Sequence, residues 1–392
     1  MYGNEPIFLD YQSTTPVDPR VVDAMRAYFD QEYGNPHSSE HILGWRAMAA
    51  VERAKQKISS FVGAEPNEVI FTSGATESNN LAILGSGRGN KDRRRSRILV
   101  TTTEHKCVLA AANALKNMHN YQVDYIPVNP DGVVDLDFLE DCVADDVLLI
   151  SVMAVNNEIG TIQPLTAVRE IARRHQVLVH TDAAQAPCAM DLGNIMEAAD
   201  LVSLSAHKFY GPKGIGALVI SRELKERLEP IIYGGGQQDN LRSGTLPVPL
   251  IVGMAAATGL LSSQERTRLG ELRHMFLSLV AGSLDVKVNG PGIDYRHPGN
   301  LNLQITGIDA SDLLQRLQPK TCFSTGSACS AGSIEPSHVL RAIGLDADEL
   351  DASFRISLGR FTDQQDVVRA SELIINATEQ AKSEFTVGRR AL

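Results

Sequence analysis

Three short apolar segments follow one another in the middle of the chain: VLLISVM at 147–153, VLVH at 177–180 and LVSLS at 201–205. The segment 166–175, between the first two, has apolar residues at helical spacing. Strands that alternate with helices in this way are typical of parallel sheets joined by crossover helices. The same pattern, followed outward, predicts strands at 69–72, 98–102, 123–128, 147–153, 177–180, 201–205 and 216–221.

The predicted fold class is α/β, with a large domain built on a mostly parallel seven-stranded sheet that has helices on both faces. After residue 261 the pattern changes to a charged helix and the strand-like segments VKVNG, NLNLQI and FRISL, with a further helix among them. This second pattern predicts a smaller α+β domain. We place the large domain at residues 16–261 and the small domain at residues 1–15 together with 262–392.

The composition limits the classes of function. The 392 residues include 37 basic and 47 acidic side chains, a net charge of −10, so the surface as a whole repels nucleic acid and anionic lipid. The uncharged apolar stretch 246–261 contains two prolines and is too short to span a bilayer. The N-terminus lacks the basic and apolar regions of a secretory signal. We therefore expect a cytoplasmic protein that binds neither membranes nor nucleic acid directly.

Polar residues follow several predicted strands, at the sheet edge where open parallel sheets bind ligands. SGATESNN follows the first strand and opens a helix whose free N–H groups suit a phosphate, although Ser73 or Thr76 can also serve as an ordinary helix cap. Three other predicted strands are followed by His105, Asp182 and Lys208. Each of these residues, taken alone, could have a purely structural role. Together they form the set that pyridoxal phosphate requires: a lysine, a carboxylate for the ring nitrogen and an anion site.

Motifs of this kind occur along nearly the whole chain, and they are TSGATESNN (72–80), TEHK (103–106), VNNEIG (155–160), HTDAAQ (180–185), SAHKFYGPKG (205–214), RSGTLP (242–247), STGSACSAGS (324–333) and SLGRFT (357–362). In this order they resemble the cysteine desulfurases of the NifS/IscS-like group. These enzymes belong to the class V, fold-type I pyridoxal-phosphate enzymes. The resemblance implies pyridoxal 5'-phosphate as the cofactor and L-cysteine as the substrate.

The resemblance also implies how the cofactor is bound. Lys208 would attach it covalently, Asp182 would pair with the ring nitrogen, and His105 would stack on the ring and act as an acid or base near the substrate thiol. A carboxylate at the ring nitrogen keeps that nitrogen protonated, so the ring can accept electrons from the substrate. The residues implied to hold the cofactor phosphate are Ala75, Thr76, Ser205 and His207.

Four further residues are implied to complete the site. Gln185 would contact the ring hydroxyl, and Asn157 with Arg355 would hold the substrate carboxylate. The planar guanidinium of Arg355 suits a carboxylate because it donates two parallel hydrogen bonds, although a structural ion pair is the alternative reading. Thr245 would reach the cofactor phosphate of the other subunit, which implies a homodimer.

The five cysteines are an odd set without CxxC spacing, so we expect no disulfide framework or zinc site. Cys329 lies in STGSACSAGSIEP, whose glycines and serines predict a mobile segment that cannot pack as a regular strand. By composition alone Cys329 reads as a small buried hydrophobe. By resemblance it is the catalytic thiol, which takes the substrate sulfur and presents it to another protein. Cys322, beside Phe323, is predicted to lie in the core.

The predicted function is that of a pyridoxal-phosphate-dependent cysteine desulfurase, which converts L-cysteine to L-alanine and leaves a persulfide on Cys329. The alternatives are a selenocysteine lyase or another class V aminotransferase, and a non-catalytic sulfur carrier that keeps the fold. The sulfur acceptor would be a protein of iron–sulfur cluster assembly, tRNA thiolation or DNA sulfur modification. The sequence does not choose among these three.

Overall fold

The computed structural model describes residues 5–92, 94–325, 327–330 and 333–390. The helices in this part are α1 (Pro19–Asp30), α2 (Ile42–Val62), α3 (Ala75–Gly89), α4 (Lys106–His119), α5 (Leu136–Cys142), α6 (Leu165–Arg174), α7 (Ile195–Ala198), α8 (Val248–Thr258), α9 (Ser263–Ala281), α10 (Ala310–Leu317), α11 (His338–Ala342), α12 (Ala347–Asp351) and α13 (Gln364–Arg390). The strands are β1 (Ile7–Phe8), β2 (Val69–Thr72), β3 (Arg97–Thr101), β4 (Gln122–Ile126), β5 (Val147–Ser151), β6 (Leu178–Asp182), β7 (Leu201–Ser205), β8 (Gly216–Ile220), β9 (Val286–Val288), β10 (Asn300–Ile305), β11 (Thr321–Cys322), β12 (Ser324–Thr325), β13 (Ser327–Ser330), β14 (Ser333–Pro336) and β15 (Ser353–Ser357). None of the described helices combines the length and the apolar character that crossing a membrane requires.

The large sheet has seven strands in the order β2-β8-β7-β6-β5-β3-β4. The strands from β7 to β4 run parallel, and β8 is antiparallel to both of its neighbours. The predicted mostly parallel α/β sheet is therefore confirmed. Several strand ends differ from the prediction by one or two residues, and two of these lie at the cavity. β5 ends at Ser151, because Met153 donates its N–H to the Glu104 carboxyl at 2.6 Å, and β6 continues to Asp182, which pairs with Ser203.

The strands of this sheet contribute alternate residues to two cores. In β3, Leu99 packs with residues of α2, α6 and α8, whereas Ile98 and Val100 pack with residues of α3 and α4. In β2, Phe71 belongs to the first core and Ile70 to the second. Successive side chains of a strand point to opposite faces. The predicted helices on both faces of the sheet are therefore confirmed.

A smaller antiparallel sheet of order β12-β15-β10-β9 packs with α9, α10 and α13. Near the N-terminus β1 pairs with β11, and Ile7 and Leu9 belong to the same core as these helices. The predicted α+β unit with strands from VKVNG, NLNLQI and FRISL is confirmed. The domain boundaries, 16–261 and 1–15 with 262–392, stay a prediction.

The segment around Cys329 corrects one expectation. We expected that it could not form a regular strand, but β13 and β14 form an antiparallel hairpin in which Cys329 lies opposite Ile334 and Ser327 opposite Pro336. Small side chains do not prevent this pairing, because backbone N–H and C=O groups make the ladder. The predicted role of the Cys329 side chain lies outside the described residues.

Candidate active site

A cavity of about 500 Å³ lies at the carboxyl ends of the parallel strands. It brings together residues that are widely separated in the sequence and that follow different strands. Nine of the predicted site residues line it, and these are Ala75, Thr76, His105, Asn157, Asp182, Gln185, Ser205, His207 and Lys208. Among the described residues, no group of three or more His, Cys, Asp or Glu side chains is arranged to hold a metal ion.

The turn between β2 and α3 presents backbone N–H groups to this cavity. α3 begins at Ala75, and its N-cap residue Gly74 has a φ of 154° and makes no side-chain cap hydrogen bond. A Cβ atom on Gly216 would lie 2.6 Å from the Cα of Gly74, so the close approach of β8 to this turn requires glycine. Ser205, at the end of β7, lies beside the same turn. The free N–H groups of the first helical turn and the helix dipole make this end of the cavity an anion site.

Asp182 is the last residue of β6 and is 5% exposed. Its carboxylate accepts a hydrogen bond from the N–H of Ala184 at 2.9 Å and another from Nδ2 of Asn79 at 2.7 Å. These donors hold a buried carboxylate in one orientation at the cavity wall, which suits a protonated ring nitrogen. The contact with Asn79 is one that the SGATESNN motif alone does not reveal.

Lys208 follows β7, and its ammonium group donates to two backbone carbonyls. The distances are 2.6 Å to the oxygen of Gln12 and 2.8 Å to the oxygen of Ser13. Burial lowers the pKa of Lys208 to about 8, and the positive charge of Arg355 adds to this effect. Because the ordinary value is 10.5, a useful fraction of this amine is neutral, and therefore nucleophilic, near neutral pH.

Both histidines of the cavity are predominantly neutral near neutral pH. His105 is the N-cap of α4, and its Nδ1 accepts a hydrogen bond from the N–H of Cys107 at 3.2 Å. Burial lowers the pKa of His105. His207 places Nδ1 3.1 Å from Oγ1 of Thr14, and burial lowers the pKa of His207 to about 4. His207 therefore lines the cavity as a neutral hydrogen-bonding group.

Arg355 lies behind the cavity wall and is not among the residues that line it. It donates to the backbone oxygen of Asn157 at 2.7 Å, to Asp10 at 2.5 Å and to Ser13 Oγ at 2.8 Å. The structural ion pair that sequence analysis left open is thus present, with Asp10 as the partner. The Nε of Arg355 is buried and has no hydrogen-bond partner among the described residues. A substrate carboxylate would therefore reach the Arg355 guanidinium in competition with Asp10.

Thr245 is exposed and is not among the residues that line the cavity of its own chain. The loop that carries it is tied to the cavity by Arg242, which forms an ion pair with Glu77 at 2.8 Å. Glu77 lies in the first turn of α3 and lines the cavity. The geometry of one chain therefore leaves the predicted role of Thr245 toward a second subunit untested.

Sequence reasoning assigned no role to Glu104, although it lies in the TEHK motif. Its side chain is fully buried and accepts hydrogen bonds from Thr101 Oγ1 at 2.9 Å and from the N–H of Met153 at 2.6 Å. Burial raises the pKa of Glu104 to about 8, and the nearby charge of Asp182 adds to this rise. The backbone oxygen of Glu104 is 2.8 Å from Nε2 of His338, which follows β14. Glu104 thus joins the cavity wall to the base of the hairpin that carries Cys329.

Residues 7–369 match the protein family described as Aminotransferase class-V. The chain belongs to the class-V aminotransferase family. It is 44% identical to a protein named cysteine desulfurase IscS from Rickettsia bellii, over 94% of this chain and 90% of that protein. The predicted resemblance to the NifS/IscS-like group is therefore confirmed.

Two solved structures are also similar to this class-V chain. A NifS-like protein has a TM-score of 0.88 at 34% identity, covering 95% of this chain and 99% of the other. A structure described as SspA in complex with cysteine has a TM-score of 0.80 at 34% identity, covering 91% of this chain and 99% of the other. The fold of this chain is therefore that of NifS-like proteins.

Class-V aminotransferases use pyridoxal phosphate, and the cavity fits this group. It has an anion site at the start of α3, a buried carboxylate with fixed donors, and a lysine amine of lowered pKa. These three features lie in one cavity. They match the phosphate, the ring nitrogen and the aldehyde that pyridoxal phosphate carries on one molecule.

Proposed function

We propose that this protein is a pyridoxal-phosphate-dependent cysteine desulfurase. The reaction takes L-cysteine and the Cys329 thiol to L-alanine and a Cys329 persulfide. The carbon–sulfur bond of the substrate breaks, a sulfur–sulfur bond forms on Cys329, and a proton replaces sulfur on the substrate carbon, so no external oxidant is needed. The observation that carries the proposal is the cavity lined by nine of the predicted site residues in a chain 44% identical to a cysteine desulfurase.

The roles proposed for the cofactor-binding residues rest on the resemblance and are supported by their places in the cavity. Lys208 holds the cofactor, and its lowered pKa lets the freed amine take the proton from the substrate Cα. Asp182 would accept the hydrogen bond of the ring nitrogen, and Gln185 would contact the ring hydroxyl. When bound, pyridoxal phosphate supplies an electron sink for the pair left at Cα. The phosphate is held by the start of α3 together with Ala75, Thr76, Ser205 and His207.

Substrate binding and sulfur transfer involve the remaining residues. Asn157 and Arg355 hold the substrate carboxylate, and the Arg355 guanidinium releases Asp10 to do so. His105 takes or returns a proton at the substrate thiol, because its neutral ring faces the cavity. The Cys329 thiolate attacks the substrate sulfur, and it can carry that sulfur away because it lies on a hairpin rather than in the sheet core.

The active assembly in this proposal is a homodimer. Thr245 is exposed in the single chain, yet its loop is tied to the anion-site helix through Arg242. The side chains of Tyr33 and Trp45 are also exposed, at 67% and 55%, and both are large and apolar enough to favour burial between subunits. These observations support a second chain that covers exposed side chains of this one and supplies Thr245 to the neighbouring phosphate.

The proposed location is the cytoplasm, and the proposed sulfur acceptor is another protein. Its pathway is iron–sulfur cluster assembly, tRNA thiolation or DNA sulfur modification. The net charge of −10 favours a protein acceptor over direct contact with nucleic acid. Affinity capture with persulfide-loaded protein, with the Cys329→Ser variant as the control, would identify the acceptor.

The activity is tested by mixing the purified protein with pyridoxal phosphate, L-cysteine and a reductant, and measuring alanine and sulfide. Equal amounts of both are expected, because each turnover gives one alanine and one persulfide that the reductant releases. Formation of pyruvate or glutamate instead would indicate other class V chemistry, and activity on selenocysteine alone would indicate a selenocysteine lyase. No product from a protein that binds the cofactor would indicate a sulfur carrier.

A further inference from the structure

Cys107 is a cavity residue in the first turn of α4. Its Sγ is 2.9 Å from Nδ1 of His105, and its backbone N–H donates to the same Nδ1 at 3.2 Å. A backbone N–H can only donate, so Nδ1 of His105 is an acceptor. The neutral ring of His105 therefore carries its proton on Nε2.

The sulfur of Cys107 has a second contact, with Asn79. Nδ2 of Asn79 lies 3.2 Å from Sγ of Cys107 and 2.7 Å from Oδ2 of Asp182. An amide nitrogen carries two hydrogens, so both hydrogen bonds form at once. A flipped amide would point its oxygen at the Asp182 carboxylate, which fixes the orientation. Sγ accepts from Asn79, and the Thr76 hydroxyl is a second neighbour that donates to it, so the hydrogen of the thiol itself can point to His105.

The protonation states are compatible with this direction of donation. Burial raises the pKa of the Cys107 thiol to about 11, so the sulfur keeps its hydrogen near neutral pH. Burial lowers the pKa of His105, so the ring keeps Nδ1 free as an acceptor. Oδ1 of Asn79 is buried without a hydrogen-bond partner among the described residues, so the amide is held through its donor side.

We propose that Asn79 and Cys107 are positioning residues that link Asp182 to His105 through one hydrogen-bonded chain and, together with the backbone N–H of Cys107, hold the proton of the neutral His105 ring on Nε2. The chain of contacts is Asp182, Asn79, Cys107, His105. It leaves the Nε2–H of His105 as a donor for a substrate atom. What this donor does in desulfuration rests on the proposed function. The tautomer of His105, in contrast, is a property of the polypeptide itself.

Other charged groups also act on His105, and the test keeps them constant. Among the described residues, Asp182 and Glu158 favour the protonated ring, whereas Lys208 and His338 oppose it. None of these is changed in the variants Cys107→Ala, Cys107→Ser and Asn79→Ala. A change in His105 in those variants therefore reports on the hydrogen-bonded chain.

The experiment is nuclear magnetic resonance of the full-length protein with ¹⁵N-labelled histidine, without and with pyridoxal phosphate, over a pH series. The wild type is expected to show the Nε2–H tautomer at His105. Cys107→Ala removes a donor that stabilises the neutral ring, so the pKa of His105 should rise by about half a unit or more. Cys107→Ser keeps a donor and should restore the wild-type value. Cys142→Ala, at a remote thiol beside Arg97, is the matched control and should change nothing.

Asn79 is tested by a double-mutant cycle on the same resonance. If the residues form one chain, Asn79→Ala has a smaller effect on His105 when Cys107 is already alanine. Additive effects would remove Asn79 from the proposal. An unchanged His105 in Cys107→Ala, or a Cys107→Ser variant that behaves like Cys107→Ala, would overturn it. A protein that shows the tautomer but makes no alanine would instead refute the proposed function.

Discussion

The lowered pKa of Lys208 predicts how the rate of cofactor attachment depends on pH. Only the neutral amine attacks the aldehyde of pyridoxal phosphate. Burial, together with the charge of Arg355, lowers the pKa of Lys208 from 10.5 to about 8. The attachment rate should therefore rise about tenfold per pH unit below about pH 8 and level off above it.

The size of the effect follows from the neutral fraction. With a pKa of about 8, about one amine in ten is neutral at about pH 7, against about one in three thousand for an ordinary lysine. The structure therefore predicts an advantage of roughly 300-fold over a free lysine side chain at that pH, before any gain from binding. In the Arg355→Gln variant, the pH at which the attachment rate levels off should be higher than in the wild type. It should not reach the pKa of an ordinary lysine, because burial is the larger cause of the lowered pKa of Lys208.

The assay follows the absorbance change when pyridoxal phosphate is added to cofactor-free protein, and borohydride reduction identifies the lysine that is labelled. The rate at which Nα-acetyl-lysine, whose side-chain amine is free, reacts with pyridoxal phosphate in the same buffers corrects for titration of the cofactor itself. Lys213 also lines the cavity, so Lys213→Ala is the matched control and should keep the break, whereas Lys208→Ala should abolish attachment. A rate that keeps rising tenfold per unit to about pH 10 would refute the reasoning, because it would mean an unperturbed amine.

Three further predictions concern the thiol, the assembly and substrate binding. Cys329→Ser should keep cofactor attachment and lower sulfide release by roughly a hundredfold or more, because a hydroxyl is a poor nucleophile toward sulfur; sulfide release at the wild-type rate would exclude Cys329. Lys208→Ala and Thr245→Glu subunits, each inactive, should regain about a quarter of wild-type activity on mixing in equal amounts, because half of the dimers then hold one intact site; no recovery despite measured subunit exchange would exclude a shared site. Asp10→Asn should lower the KM for cysteine by roughly threefold to tenfold, because it frees Arg355 from a partly buried ion pair, and a raised KM would mean that Asp10 instead orients Arg355. Replacing any one of the other four cysteines by serine should leave a measurable rate of sulfide release. These four are Cys107, Cys142, Cys188 and Cys322.

The sheet and the cavity-lining residues were predictable because both depend on local patterns. Each strand of the large sheet is a short apolar run, and the parallel connections bring the residues after these runs to one edge. Asp182 and Lys208 are therefore found from the sequence as residues that follow strands. The hairpin at Cys329 was missed because its stability comes from backbone pairing, which small side chains neither favour nor prevent.

The partners of the site residues were not predictable, because they depend on contacts between distant parts of the chain. Arg355 was placed at the substrate, but its ion pair with Asp10 joins β15 to the segment after β1. The Asn79 contacts with Asp182 and Cys107 join two motifs and the residue after a third, and their spacing in the sequence contains no distance information. Such contacts follow from how helices and strands pack rather than from any one motif.

The segment 10–15 explains why the site depends on both sheets. Its backbone carbonyls accept the two hydrogen bonds of Lys208, and its Thr14 hydroxyl lies 3.1 Å from Nδ1 of His207. The same segment pairs through Asp10 with Arg355, which belongs to the smaller sheet. A displacement of the smaller sheet relative to the larger one would therefore move the carbonyls that hold the Lys208 amine. Both the segment 10–15 and β7 therefore determine the position of this amine. The pattern of residues after strands identifies Lys208, but it does not identify the carbonyls that orient it.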